Sequence, residues 1–127
     1  MRSTYIGLPA ADVAKATAFL TALGFTLDPR ASSDRTACVL INDSTAVMLH
    51  EATYFAEFTG APVTDPARAS EVSVGLSAES RAEVDELTER AVAAGGQDVG
   101  AQDLGYMYMR AFRDLDGHRW SFIHMAG

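Results

Sequence analysis

Residues 114–125 read DLDGHRWSFIHM, and they contain the sharpest local signal in the chain. Asp116 and Gly117 form a turn dipeptide, and a short aromatic and apolar run follows it. The pattern predicts that one strand enters through Ala111 and Phe112, turns tightly and leaves as the last strand. A β-hairpin therefore closes the predicted fold.

Outward from this hairpin, one order of elements occurs twice along the chain. The pattern strand, helix, strand, strand, strand fills residues 1–60 and again 71–127, with a proline-containing linker at 61–70. GLPA at 7–10 precedes the first helix and GLSA at 75–78 precedes the second, an offset of 68 positions. We therefore predict one α+β domain of two tandem βαβββ modules, whose curved mixed sheet surrounds a cleft.

The individual elements are predicted from caps, turns and periodicity. Asp12 is the expected N-cap of the first helix, and Ser80 with Glu83 forms a capping box for the second. The apolar face expected for the second helix consists of Val84, Leu87, Ala91 and Ala94. The predicted strands are 5–9, 25–27, 36–41, 45–51, 71–77, 97–99, 105–113 and 119–124. The TYFAEF stretch at 53–58 is either a helical turn or a loop.

Composition narrows the class of protein. The 127 residues carry a formal net charge of −7, which argues against a nucleic-acid partner. No run of about 18 apolar residues is present to span a bilayer, so no membrane partner is expected. The single cysteine, Cys38, lies in an apolar run and has no partner for an internal disulfide, which favours a buried residue in a cytoplasmic protein.

The doubled pattern, the opening YIGLPAADVAKATAFLTALGF at 5–25 and the closing motif at 114–125 together resemble the vicinal oxygen chelate superfamily. That superfamily includes glyoxalase I, extradiol dioxygenases and bleomycin-resistance proteins. The closing motif is similar to the family's D-P-D-G-H/N-x-W/I-E, with Leu115 in place of proline. The resemblance covers essentially the whole chain and implies the fold, which is used by isomerases, oxygenases and plain binding proteins alike.

The resemblance also implies where a metal would bind. In metal-using members, one divalent ion at the centre of the cleft takes a ligand from the first strand and from the last strand of each half. The matching positions here are Tyr5, Leu49, Ser73 and Ser121, and Ser121 stands where the family has glutamate. None of the four is a His, Glu, Gln or Asp, the side chains that such sites require. We therefore predict no metal and no other cofactor.

Strand parity tests whether neighbouring residues replace the missing ligands. Side chains two apart share a face of a strand, and those one or three apart do not. His50 is one residue from Leu49 and is expected to turn away from the cleft. His118 and His124, which are each three residues from Ser121, are also expected to turn away from the cleft. Glu51 alone keeps the parity of Leu49, and one carboxylate does not hold a metal.

One strand offers two alternative sets of ligand contacts. Tyr106, Tyr108 and Arg110 alternate along it with Met107 and Met109. If the tyrosine set faces the cleft, it offers stacking faces, hydroxyls and an anchor for a carboxylate. If the methionines face the cleft, the surface is apolar and adaptable. A half-buried strand with no ligand role explains the pattern equally well.

These features predict a metal-free protein that binds a small organic molecule, cationic or aromatic, in its cleft and works as a homodimer. The alternative is a lyase, isomerase or dioxygenase of the same family with an altered metal site or none. In that enzyme Tyr5 or another tyrosine of the cleft would serve as acid and Glu51 as base. A third possibility is an interaction module that binds no ligand.

Overall fold

The computed structural model describes residues 2–126, which divide into two compact units between Thr64 and Asp65. Met1 and Gly127, the two ends of the predicted domain, lie outside the described residues. Unit 1 comprises the described residues up to Thr64, and unit 2 comprises those from Asp65 onward. Within residues 2–126 no helix is long and apolar enough to cross a membrane.

Unit 1 contains a mixed four-stranded sheet, a long helix, a 3-10 turn and a short second helix. Its elements are β1 (Thr4–Ala10), α1 (Val13–Ala22), β2 (Thr26–Asp28), the 3-10 turn Pro29–Ala31, β3 (Thr36–Leu40), β4 (Thr45–Glu51) and α2 (Ala52–Thr59). The strand order is β1-β4-β3-β2, in which β1 pairs with β4 in parallel and the other neighbours are antiparallel.

Unit 2 repeats this arrangement. Its elements are β5 (Ser73–Ser77), α3 (Arg81–Ala93), β6 (Gln97–Asp103), β7 (Met107–Arg113) and β8 (Arg119–Met125). The strand order β5-β8-β7-β6 matches that of unit 1, and the parallel pair is again formed by the first and last strands. The predicted fold class, two tandem βαβββ modules, is thereby confirmed.

Side-chain caps start both long helices as predicted. The Asp12 carboxylate accepts a hydrogen bond from the backbone N–H of Lys15 at 3.1 Å, and Ser80 Oγ accepts one from Glu83 at 3.0 Å. The capping box at α3 is only half formed, because the Glu83 carboxylate accepts from the N–H of Glu79 instead of Ser80. The cap therefore extends one residue further back than the motif predicts.

The structure decides one open alternative of local structure and corrects one predicted strand. The TYFAEF stretch is part of a regular helix, α2, which ends at Gly60 in the left-handed conformation with a φ of 72°. Strand β6 has seven residues instead of the predicted three, and a bulge lies between Asp98 and Gly100. All seven β6 residues are exposed, so this edge strand shows no alternation that sequence analysis could detect.

The core of unit 2 lies between α3 and the face of the sheet that carries Trp120. The indole stacks on Phe112 with ring centroids 6.3 Å apart, and the Phe122 ring also stacks on Phe112 at 5.7 Å. On α3 the fully buried residue one turn after Val84 is Thr88, whereas Leu87, which was predicted on this face, is only half-buried. The Thr88 hydroxyl is satisfied because it donates to the Val84 carbonyl at 2.7 Å.

Candidate functional site

Each sheet has one face against the long helix of its unit and an opposite face, here called the reverse face. In unit 2, Tyr108 and Arg110 contact α3, so strand alternation puts Met107 and Met109 on the reverse face. In unit 1, the reverse face is identified by Gly7, which lies beside His50 and α2.

Leu49 lies on the helix-covered face, which corrects its assignment to the site. It is directly opposite Leu8, and both side chains are buried in the core, Leu49 with 2% exposure. Met48 lies directly opposite Gly7, as Ser121 lies opposite Gly75. The repeat counterpart of Ser121 is therefore Met48, because a slip of one residue moves a side chain to the other face of a strand.

The same correction reverses the prediction for His50, which shares the reverse face with Gly7 and Met48. Its Nδ1 lies 2.9 Å from the hydroxyl oxygen of Thr36 on the neighbouring strand. Its Nε2 lies 3.5 Å from the point where a Cβ on Gly7 would stand. Three aromatic rings of α2 surround the imidazole, and burial lowers the pKa of His50 below its ordinary value.

Tyr5 and Glu51, the two catalytic candidates, are not brought together. Tyr5 is opposite Ala46 on the reverse face and is 69% exposed, whereas Glu51 is five residues further along β4 and has the opposite parity. Five residues of strand correspond to about 17 Å. Hydrogen bonds from Thr53 and the positive charge of Arg35 lower the pKa of Glu51, which weakens it as a base.

On unit 2, Ser73 and Ser121 both lie on the reverse face. Gly75, two residues after Ser73 on β5, is the cross-strand partner of Ser121. Ser121 lies opposite Gly75 on one side and Ala111 on the other, and its side chain is 4% exposed. The Ser73 hydroxyl accepts a hydrogen bond from Arg119 at 2.8 Å. Neither serine has a carboxylate or imidazole as its direct cross-strand neighbour.

The tyrosine set of β7 faces the helix, which decides between the two alternatives for this strand. Tyr108 donates a hydrogen bond to Asp85 of α3 at 2.5 Å, and this bond raises the pKa of Tyr108. Arg110 forms ion pairs with Glu89 at 2.8 Å and Asp98 at 2.7 Å. Tyr106 precedes β7 and is 63% exposed. The methionines therefore supply the reverse face with an apolar, adaptable surface.

The DLDGH turn contains the one group of three metal-ligating side chains found among the described residues, Asp114, Asp116 and His118, whose ligand atoms lie within 4.8 Å of one another. The Asp114 carboxylate is already engaged by the turn. One oxygen accepts from the N–H groups of Asp116 and His118, and the other accepts from the indole N–H of Trp120 at 2.9 Å. Desolvation raises the pKa of Asp114. The turn is therefore a structural element that fixes Trp120.

The donors at the family positions do not fit a divalent metal. With the register correction these positions are Tyr5, Met48, Ser73 and Ser121, a phenol, a thioether and two hydroxyls. His50 adds one imidazole on the reverse face of unit 1, and a single imidazole does not make a zinc, nickel or iron site. The side chains on the two reverse faces instead offer apolar contact and hydroxyl hydrogen bonding.

A cavity of about 520 Å³ opens on unit 2 where β5 and β8 end. It is lined by residues 75–79 and 123–125, and its wall is mainly apolar. Neither this cavity nor the place of Met48 on the reverse face was predicted from the sequence, and His50 was predicted to turn away from the cleft. The GLPA and GLSA repeat contained the necessary signal, because it aligns Gly7 with Gly75 and so aligns the strands beside them.

Comparisons with known proteins agree with this architecture. The sequence profile of the Glyoxalase/Bleomycin resistance protein/Dioxygenase superfamily matches residues 2–122. A hypothetical protein from S. aureus is 27% identical with a TM-score of 0.84, covering 98% of this chain and 94% of that one. A glyoxalase/bleomycin resistance protein/dioxygenase family enzyme from Burkholderia phytofirmans is 14% identical with a TM-score of 0.84, covering 98% and 99%.

A third solved structure, lactoylglutathione lyase from Agrobacterium tumefaciens, is 18% identical with a TM-score of 0.71 and covers 95% of this chain and 91% of that one. At 14% and 18% identity, the likeness to the two named family structures concerns the fold alone. A comparison with curated proteins found no significant match.

Proposed function

The chain belongs to the Glyoxalase/Bleomycin resistance protein/Dioxygenase superfamily, and from this premise we propose that it binds a small organic molecule without a divalent metal ion. The observation that carries the proposal is the set of donors at the family's metal positions. Tyr5, Met48, Ser73 and Ser121 provide neither imidazole nor carboxylate. Loss of the metal leaves a sheet surface suited to binding by shape and apolar contact.

The composition of the reverse faces supports a ligand with an apolar or aromatic part. Met107, Met109 and Ile123 lie on the reverse face of unit 2, and methionine side chains adapt to ligands of irregular shape. The formal net charge of −7 favours a ligand that carries positive charge. The cleft expected between the two sheets stays a prediction of this proposal.

Metal content and ligand binding test the proposal together. Protein purified without chelator is expected to contain far less than one Zn, Ni, Mn or Fe per chain by elemental analysis. A metal-binding member of the superfamily, purified in the same way, is the control. In the presence of EDTA, a panel of cationic and aromatic amines is expected to contain compounds that raise the melting temperature. A near-stoichiometric metal, or a panel without any binder, would contradict the proposal.

The enzymatic alternative receives less support from the geometry. Its acid and base, Tyr5 and Glu51, lie on opposite faces of the unit 1 sheet, and Glu51 is held by Arg35 and Thr53. Metal-stimulated turnover of a glutathione hemithioacetal, or oxygen uptake with a catechol, would establish this alternative. Neither reaction is expected from the side chains on the two reverse faces.

A further inference from the structure

On the reverse face, the surface beside one glycine is equivalent in the two units, but its surroundings differ between them. Gly7 in β1 and Gly75 in β5 occupy equivalent positions of the repeat, and each lies on the reverse face opposite the last strand of its unit. By the same register, Ile123 on β8 is the counterpart of His50 on β4. The surroundings of the two glycines can therefore be compared directly.

In unit 1, aromatic rings of α2 cover this place. A Cβ on Gly7 would lie 3.8 Å from a ring carbon of Phe55 and 3.5 Å from His50 Nε2. The Phe58 ring packs edge-on against the imidazole with centroids 4.9 Å apart, and Phe55 packs on Phe58 at 5.3 Å. The surface beside the glycine is therefore one against which phenyl rings pack.

In unit 2, the equivalent place has no such cover among the described residues. A Cβ on Gly75 would meet only β8 atoms within 4 Å, the Cδ1 of Ile123 at 3.1 Å and the Oγ of Ser121 at 3.4 Å. Gly75 and Ile123 instead line the cavity of about 520 Å³. Its wall includes Ile123 and Met125, and Glu79 provides a carboxylate.

We propose that this cavity binds the aromatic ring of a small organic amine, with the ring over Gly75 and Ile123 as Phe55 and Phe58 lie over Gly7 and His50. The inference rests on the proposed function, since it names the ligand class and the place where its ring binds. The repeat supplies the evidence for a ring, because the same sheet surface already packs phenyl groups in unit 1.

The chemistry of the lining fits both parts of such a ligand. Ile123 and the thioether of Met125 offer apolar and sulfur contacts to an aromatic face. The Cδ1 of Ile123 lies 3.1 Å from the point where a Cβ on Gly75 would stand, so a ring bound here would pack on the Ile123 side chain, as the Phe58 ring packs on His50. Glu79 is an exposed residue of the lining, and its negative charge, like the net negative charge of the chain, attracts an ammonium group.

Methyl NMR of the full chain locates the ring. On addition of 1-naphthylmethylamine, ring-current shifts are expected at the Ile123 δ1 and Met125 ε methyls, while the Ile41 methyl of unit 1 stays unchanged. The anionic analogue 1-naphthoate is expected to bind more weakly. Shifts at Met48 without shifts at Ile123 and Met125 would overturn the inference and leave the proposed function standing. Absence of shifts at every methyl would overturn it as well, while the metal content tests the proposed function separately.

Substitutions in the cavity test separately how the aromatic ring and the positive charge of the ligand contribute to binding. Ser77→Phe places a ring of the protein itself over the cavity and is expected to weaken binding at least about tenfold, whereas Ser70→Phe, outside the lining, leaves it unchanged. Glu79→Gln is expected to raise the Kd about two- to fivefold, and Glu71→Gln, before β5, not at all. If Ser77→Phe fails to fold, Met125→Ala at a 60% exposed position is expected to weaken binding severalfold. Unchanged affinity in Ser77→Phe or in Met125→Ala would overturn the inference.

Discussion

At the scale of single residues, His50 is the residue whose position differs most from the one predicted from the sequence. Its imidazole packs among the rings of Tyr54, Phe55 and Phe58, and one ring nitrogen is paired with the hydroxyl of Thr36. Three charged groups adjoin this cluster, since Arg35 stacks on Tyr54 at 4.8 Å and pairs with Glu51 and Glu57. The neutral imidazole suits these aromatic surroundings, and burial lowers its pKa.

Protonation of His50 is therefore expected to destabilise the folded chain. The unfolded state, with an ordinary histidine pKa near 6.5, binds the proton at higher pH than the folded state does. The free energy of unfolding should fall as the pH is lowered below about 6.5, and His50→Gln should make this fall less steep. Urea unfolding at several pH values checks the slope, and an NMR titration of the imidazole checks the pKa itself. Identical slopes in the two proteins would contradict the prediction.

Asp114 belongs to the sequence motif that identifies the fold, and its carboxylate stabilises the closing turn. Both oxygens of its carboxylate accept hydrogen bonds, two from the backbone of the turn and one from Trp120. The motif is thus preserved by the turn and by the buried indole. Ser121, the residue after Trp120, has a hydroxyl where the family motif has glutamate, and the proposed metal-free function rests on this difference.

At the scale of elements, α3 was predictable from its first turn. Ser80 caps the helix, and Val84, Thr88 and Ala91 form its buried face. Thr88 was missed because a threonine counts as polar in a periodicity, although its hydroxyl bonds to the Val84 carbonyl one turn earlier.

Removal of the α3 cap is expected to cost stability in proportion to one lost hydrogen bond. Ser80→Ala leaves the N–H of Glu83 without its acceptor and should lower the free energy of unfolding by about 1 kcal/mol. Urea denaturation measures this difference, with Ser3→Ala at an exposed position as the matched control. Equal stability of the two variants would show that the cap contributes nothing.

Helix α2 and strand β6 were less predictable for different reasons. The short α2 lacks a side-chain N-cap bond, so nothing in its sequence marks where it begins. Tertiary packing of its aromatic residues on His50 stabilises it instead. Strand β6 exposes every residue, and only its pairing with β7 identifies it as a strand.

At the scale of the whole molecule, exposed apolar side chains suggest contact with another protein surface. Tyr5, Phe58 and Tyr106 are each more than half exposed. We propose, with the expectation from the family, that the protein is a homodimer. Light scattering should give a mass near twice 13.6 kDa, independent of dilution over the micromolar range. A mass near 13.6 kDa would refute this.

The sequence by itself determined the fold, since the repeat, the helix caps and the closing turn are local signals that need no tertiary contact. The prediction that the family's metal positions lack suitable donors also depends on residue types alone, and it is the same with Met48 in place of Leu49.

Only the tertiary structure decided which side chains share a face. A one-residue uncertainty in register reverses every side chain of a strand, so sequence alone placed His50 and Leu49 on the wrong faces and left the β7 alternatives open. The cavity beside Gly75 likewise depends on the pairing of β5 with β8 and on packing that no stretch of sequence contains.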